Sequence, residues 1–183
     1  MNISALSYRD LDLDQLHAVR RQAWLDKYPT FAEHIAAWED GFEKNALHFL
    51  AFEGDALVGV ARFSESGGEQ VRKQFAHAPA MLEFVSSLKR PIGVISRLSV
   101  HPSARGRGVA RKLDEARINH ARRVGCTHII CEVKAGAHRE KALARLGFEP
   151  VPGAALHEAY PFPQSIDAPP RLCQPLFLRL VHG

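Results

Sequence analysis

The sequence predicts a single α/β domain, and three observations predict it. A strand, a tight turn and a second strand fill residues 46–64. A strand over 92–100, a helix over 106–124 and a strand over 127–133 follow one another directly. The chain has 183 residues and no internal repeat, and that length buries a core without disulfides or metals.

Each element follows from its local pattern. NISALSY (2–8) predicts a short first strand. Over 13–28, Leu13, Leu16, Val19, Ala23 and Trp24 fall on one side of a helix. A second helix is expected over 31–43, capped by Thr30. ALHFLAF (46–52) and ALVGVARFS (56–64) form a hairpin about Gly54 and Asp55. Residues 69–89 are helical in pattern but interrupted by Pro79. IGVISRLSV (92–100) alternates as a strand. In the helix over 106–124, Val109, Leu113, Ala116 and Val124 share a face, and Gly125 stops it. THIICEV (127–133) is a strand, 137–146 a short helix ended by Gly147, and 148–151 a further strand. A loop with Pro161, Pro163, Pro169 and Pro170 precedes the last strand, PLFLRLV (175–181).

Composition narrows the class. No run of eighteen apolar residues exists, so no membrane span is expected. The start, MNISALSYRD, lacks a basic segment followed by an apolar core, so no signal peptide is expected. Cys126, Cys131 and Cys173 are odd in number with no close pair, which fits a reducing cytoplasm rather than a disulfide framework or zinc ribbon. The ten histidines show no metal-type spacing, so no metal is expected. A net charge of +4 and a pI near 9.1 fit a phosphorylated ligand, an acidic partner protein or no particular partner. They do not make the dense basic stripe of a nucleic-acid binder.

VHPSARGRGVARKL (100–113) carries the chemistry. A strand ends, a short loop follows, and a helix begins near Gly106. The first amides of a helix have no internal acceptors, and the dipole makes that end positive. Gly106 and Gly108 let an anion approach the backbone, and Arg105 and Arg107 supply charge suited to phosphate oxygens. No Gly-Lys-Ser/Thr follows, so this is not a nucleoside-triphosphate loop, and it is not the dinucleotide GxGxxG. It matches Arg-x-x-Gly-x-Ala as Arg105, Gly108 and Ala110, between RLSVHP and a later strand and ALARLGF.

With these motifs the sequence resembles the GNAT superfamily of N-acyltransferases, over about residues 46–148. The resemblance implies a mixed, mostly antiparallel sheet whose central strands, 92–100 and 127–133, splay around acyl-coenzyme A. It places pantetheine on the backbone of Leu98, Ser99 and Val100. It places pyrophosphate on the amides of Arg105, Gly106, Arg107, Gly108, Val109 and Ala110. An amide near Ser99 or Val100 would stabilise the thioester oxygen. The sequence departs from the family where a tyrosine acid is common, which is Leu143 here, and where an asparagine is common, which is Gly136. The strand over 92–100 also offers Ser96 and Arg97 rather than a carboxylate.

The remaining candidates have a bland reading beside a functional one. Glu132 is a candidate general base; its alternative is a cross-strand ion pair, for example with Arg97. Arg97 either binds a substrate carboxylate or pairs with an acid. His101 reads as a turn residue, His120 as a packed core histidine, His138 as a surface residue and Cys131 as an inert strand residue. Arg111, Lys112, Arg122 and Arg123 form a solvated helix face, or a docking face for acyl carrier protein. The helical insertion at about 69–91 is either a packing element or the wall of an acyl or acceptor pocket. An insertion there is similar to N-acyl amino acid synthases and acyl-homoserine lactone synthases, which use long acyl chains.

The expected function is therefore acetyl transfer from acetyl-CoA, or another acyl-CoA, to a small-molecule or peptide amine. Long-chain N-acyl transfer and a non-catalytic acyl-CoA sensor are the alternatives. Neither nucleic acid nor metal is expected as a partner, and the last strand with the proline loop leaves room for a homodimer.

Overall fold

In the computed structural model, residues 1–25, 41–66, 72–73, 75–158 and 172–181 are described. They fall into two compact units. The first comprises Met1–Ser64 and Ile95–His120, the second Glu65–Val94 and Ala121–Gly183.

The first unit is a meander with helices. β1 (Asn2–Ser7) pairs antiparallel with β2 (Leu47–Glu53), from Asn2 opposite Phe52 to Ser7 opposite Leu47. β2 pairs antiparallel with β3 (Ala56–Ser66) through the turn at Gly54, where φ is +59°. β4 (Ile92–Val100) is the neighbour of β3 in strand order, and its residues from Ile95 on belong to this unit. α1 (Leu13–Leu25) buries Leu16 and Val19 against Leu50 and Val60, with Leu6, Leu11, Phe52 and Leu57 around them. α3 (Val109–Arg123) lies close on β3. A Cβ on Gly59 would sit 2.6 Å from Val109 Cγ1 and 3.1 Å from Leu113 Cδ1, so this approach needs a glycine.

This unit also buries charge. Arg20, Arg62 and Arg117 are each 2% exposed or less, as are Glu43 and Asp114. Glu43 receives Arg20 as a two-pronged pair, Nη1 to Oε1 at 3.0 Å and Nη2 to Oε2 at 3.3 Å. Arg62 Nη1 donates to the same Oε1 at 3.0 Å, and its Nε donates to Ser96 Oγ at 2.9 Å. Arg117 pairs with Asp114 one turn back on α3 and donates to the carbonyls of Arg62 at 3.0 Å and Ser96 at 3.2 Å. Beside them, His48 Nε2 meets the Glu43 carbonyl at 3.2 Å. Its buried Nδ1 has no hydrogen-bond partner among the described residues. Burial first, against some relief from Glu43, holds the His48 imidazole below its ordinary value.

The second unit has its own core. β4 runs parallel to β5 (His128–Lys134) over Ile92, Val94 and the residue between them, opposite His128, Ile130 and Ile129. β5 then pairs antiparallel with β8 (Leu172–Arg179), from His128 opposite Arg179 to Lys134 opposite Cys173. The short β6 (Glu149–Pro150) and β7 (His157–Glu158) pair with β8. α2 (Pro79–Ser87) places Met81 and Val85 with Phe75, Ile92, Val94, Ile130 and Val151. α4 (His138–Ala144) buries Leu143. Together the strands make the mixed, mostly antiparallel arrangement expected.

Several boundaries move, each for a local reason. The helix expected from Gly106 starts at Val109, because Gly106 and Gly108 have φ of +77° and +78°, outside helical range. Pro79 does not interrupt a helix but begins one, where its missing N–H costs nothing. β7 was not expected, since two residues give no periodicity. The last strand starts at Leu172 and ends at Arg179 rather than covering 175–181. Most of the helix expected over 31–43 lies outside the described residues, as do much of the start of the 69–91 insertion and the proline loop.

Two tests follow. Glu43→Gln leaves two buried guanidiniums without their counter-charge and is expected to cost about 3–5 kcal/mol in denaturant unfolding; a loss below about 1 kcal/mol would show that water reaches the network. His48, and also His128, whose imidazole is lowered by burial and by Arg179, bind protons less readily folded than unfolded. Their contribution to stability is full above the ordinary imidazole value of about 6.5 and is lost as pH falls below it. Chemical denaturation at several pH values should show that decline, and His48→Gln should flatten part of it.

Candidate functional site

In the first unit the loop expected to cradle an anion is built from backbone. β4 ends at Val100 and enters a single 3-10 turn, Pro102–Ala104. Pro102 presets the turn, and His101 Nδ1 caps it by accepting from the Ser103 amide at 3.3 Å. The His101 amide donates to the Val58 carbonyl at 2.9 Å, and Ala104 is fully buried, so the base of the loop is pinned to β3. The chain then passes over Gly106 and Gly108 with left-handed backbone. A Cβ at either glycine would meet nothing within 4 Å, so neither is there for packing. The Lys112 amide donates to the Gly108 carbonyl at 3.1 Å, which opens α3. The amides of its first turn have no acceptor within the helix. Amides that lack a partner, glycine backbone and the positive end of the helix dipole together fit a diphosphate.

The flanking arginines are engaged with protein. Arg105 Nη2 donates to the Ala23 carbonyl at 2.8 Å, which ties the loop to α1. Arg107 pairs with Glu53 at the end of β2, and its side chain is 53% exposed. An exposed pair of this kind contributes at most about 1 kcal/mol, so it exchanges readily for a phosphate. Upstream of the loop, Ser99 is buried, while Arg97, Leu98 and Val100 are partly exposed. Arg97 has φ of +53° inside a strand, a strained conformation for a residue with a side chain. The parallel ladder between β4 and β5 has already ended at Val94 and Ile130. The positive charge of Arg97 is felt at Arg20, so a third guanidinium adjoins the Glu43 network.

The second unit holds the acid. Glu132 sits on β5 with its side chain 16% exposed. Its Oε1 meets His77 Nε2 at 3.1 Å and His157 Nε2 at 2.7 Å, and the two rings lie 5.3 Å apart. Among the described residues no hydrogen bond engages Oε2. Glu132 is thus held by two histidines where the sequence reading offered an arginine. Cys126 is fully buried, and burial with the nearby Glu65 pushes its thiol up to about 11. Cys131 and Cys173 are buried as well and form no disulfide, so none of the three has the exposed, activated thiolate of a nucleophile.

Residues 12–148 match the model of the Acetyltransferase (GNAT) family. The chain belongs to this family. As a GNAT protein it is an acyltransferase enzyme. Solved GNAT structures resemble it along its length. Ribosomal-protein-alanine N-acetyltransferase from Brucella melitensis is 19% identical with a TM-score of 0.64, covering 98% of this chain and 100% of that one. Ribosomal-protein-S18-alanine N-acetyltransferase from Escherichia coli is 16% identical with a TM-score of 0.63, covering 100% and 96%. PaiA N-acetyltransferase from Thermoplasma acidophilum, solved in complex with coenzyme A, is 13% identical with a TM-score of 0.59, covering 98% and 100%. At these identities the likeness concerns the fold. No curated protein matches the chain.

The GNAT-type residues expected from the sequence therefore occupy two places. Leu98, Ser99, Val100 and the run from Arg105 through Ala110 share the first unit with Arg97, and Glu132 lies in the second. His101 is a turn cap, His120 packs edge-on to Phe49 and Phe63 at 5.8 and 5.0 Å, and His138 is exposed. Arg111, Lys112, Arg122 and Arg123 are exposed, with Arg111 paired to Glu115 at 2.7 Å. Leu143, which stands where a tyrosine is common, is fully buried and has no proton to give. No helix among the described residues is long and apolar enough to cross a membrane. Sequence reasoning missed His77 and His157. They come from separate elements, so no spacing announces them. Arg117 falls four places after Leu113 on the apolar stripe of α3, a signal for the burial of that one arginine and not for its partners.

Gly108→Glu places bulk and negative charge at the start of α3. Isothermal titration is expected to show acyl-CoA binding lost in this variant while its thermal unfolding stays cooperative; unchanged affinity would remove the cradle from the phosphate site.

Proposed function

We propose that the 183 residues act as one catalytic domain that transfers an acetyl group from acetyl-CoA to a primary amine by direct attack of the amine. The observation that carries the donor is the glycine pair: left-handed backbone at Gly106 and Gly108, with open space at both Cβ positions. The co-substrate supplies an activated acyl group as a thioester. The Arg105 amide closes the 3-10 turn on the Pro102 carbonyl at 3.3 Å, so the amides of Gly106, Arg107, Gly108, Val109 and Ala110 hold its diphosphate, and the backbone of Leu98, Ser99 and Val100 holds the pantetheine arm. An amide at Ser99 or Val100 donates to the thioester oxygen as charge develops there.

Glu132 takes the proton from the amine. Support comes from its Oε1 being occupied by two imidazoles while Oε2 has no partner among the described residues. The histidines fix the carboxylate, and the second oxygen accepts. Arg97 is assigned to an acceptor carboxylate, supported by its partial exposure beside the arginine-rich network. Since Leu143 is buried and apolar, solvent protonates the leaving thiolate.

The reading is tested by release of free coenzyme A thiol across a panel of primary amines and N-terminal peptides. Glu132→Gln should lower kcat about 10²–10⁴-fold while acetyl-CoA affinity stays within about twofold; an undiminished kcat would return Glu132 to a structural role. Thermal shift with acetyl-CoA against palmitoyl-CoA reports the acyl length, because a ligand bound only by the native state raises its stability. Equal or greater stabilisation by acetyl-CoA is expected.

A further inference from the structure

The second unit brings three ligand-type side chains to one point, and they come from three separate elements. Glu132 is on β5, His157 on β7, and His77 precedes α2. The sheet register explains two of them. His157 lies opposite Cys173 on β8, and Cys173 lies opposite Lys134 on β5. Directly opposed residues share a face of the sheet, as do residues two apart in a strand, so His157, Lys134 and Glu132 are on one face. The segment before α2 then delivers His77 to the same carboxylate oxygen.

We propose that His77, Glu132 and His157 form a binding site for a divalent transition-metal ion of the zinc class. Their three ligand atoms all lie within 4.8 Å of one another. Both Nε2 atoms focus on a single oxygen, Oε1, at 3.1 and 2.7 Å, although Oε2 of the same carboxylate has no hydrogen bond among the described residues. Two hydrogen-bond donors are not compelled to share one acceptor atom. A cation bound by two imidazoles and one carboxylate gathers those three atoms around itself at about 2 Å each, so they must stand a few ångströms from one another, as these do. The donor set decides the ion: two nitrogens and one oxygen suit Zn²⁺, Co²⁺ or Ni²⁺, whereas Mg²⁺ and Ca²⁺ take oxygen shells. Side-chain exposures of 17%, 16% and 17% let a hydrated ion reach the site while the protein still holds the ligands. Three protein ligands leave at least one position for water. The site stands on this geometry alone and not on the acyl-transfer reading. An ion on Oε1 withdraws charge from the carboxylate, so a loaded Glu132 accepts a proton less readily.

The test is a titration of the reduced, metal-free full chain with Co²⁺, followed by visible absorption, and with Zn²⁺, followed by calorimetry. Saturable binding at one equivalent is expected, and His77→Ala, His157→Ala and Glu132→Gln should each weaken it by more than about tenfold. Wild-type binding no tighter than that of the His77→Ala/His157→Ala double variant would overturn the site. A thiolate charge-transfer band in the cobalt spectrum would overturn it too, by moving the ion to cysteine. If a histidine variant fails to fold, the wild-type imidazole NMR signals decide. Two of them shifting on Zn²⁺ addition supports the site, and none shifting sinks it.

Discussion

Glu43 is the constraint on which the first unit depends. One buried carboxylate compensates two buried guanidiniums, Arg20 on α1 and Arg62 on β3. Taking such ions out of water is expensive, and a close, forked geometry is what repays it. The network then reaches further than its charges. Arg62 holds the Ser96 hydroxyl, and Arg117 holds the Ser96 carbonyl from α3. Ser96 immediately precedes Arg97, the strained residue of β4. A helix, two strands and the residue before Arg97 are therefore positioned through one carboxylate.

The cradle complements this by using almost no side-chain chemistry of its own. In the proposed reading its recognition is carried by amides and by two glycines whose missing Cβ atoms leave room. Arg105 and Arg107 are tied to Ala23 and Glu53, so they serve the loop's placement before any phosphate arrives. The contact between Gly59 and Val109 supplies the remaining requirement, since the helix that ends in the cradle sits only as close to β3 as a glycine allows.

Local rules made some of this legible. The hairpin about Gly54, the strand Ile92–Val100 and the stop at Gly125 follow from turn residues and alternation, and the structure keeps all three. The glycine loop between β4 and α3 was legible because its residues are contiguous in sequence. Its helix start was misplaced by three residues because periodicity cannot see a positive φ. The Glu43 network and the pair of histidines on Glu132 were not legible. Both assemble residues far apart in the chain, and burial of a charge or convergence of ligands is a property of the fold. Arg97 shows the same limit in one residue: its charge was visible, but its left-handed backbone was not.

Leu143 has a consequence for donor selectivity on the proposed chemistry. A buried leucine gives the leaving group no proton from that position, so its departure there rests on its own acidity. A thiol, with a pKa of roughly 8.5, does so at neutral pH. An alcohol or an amine does not. On that chemistry a leucine at 143 favours a thioester donor by leaving-group ability, before any contact with the rest of the donor is counted.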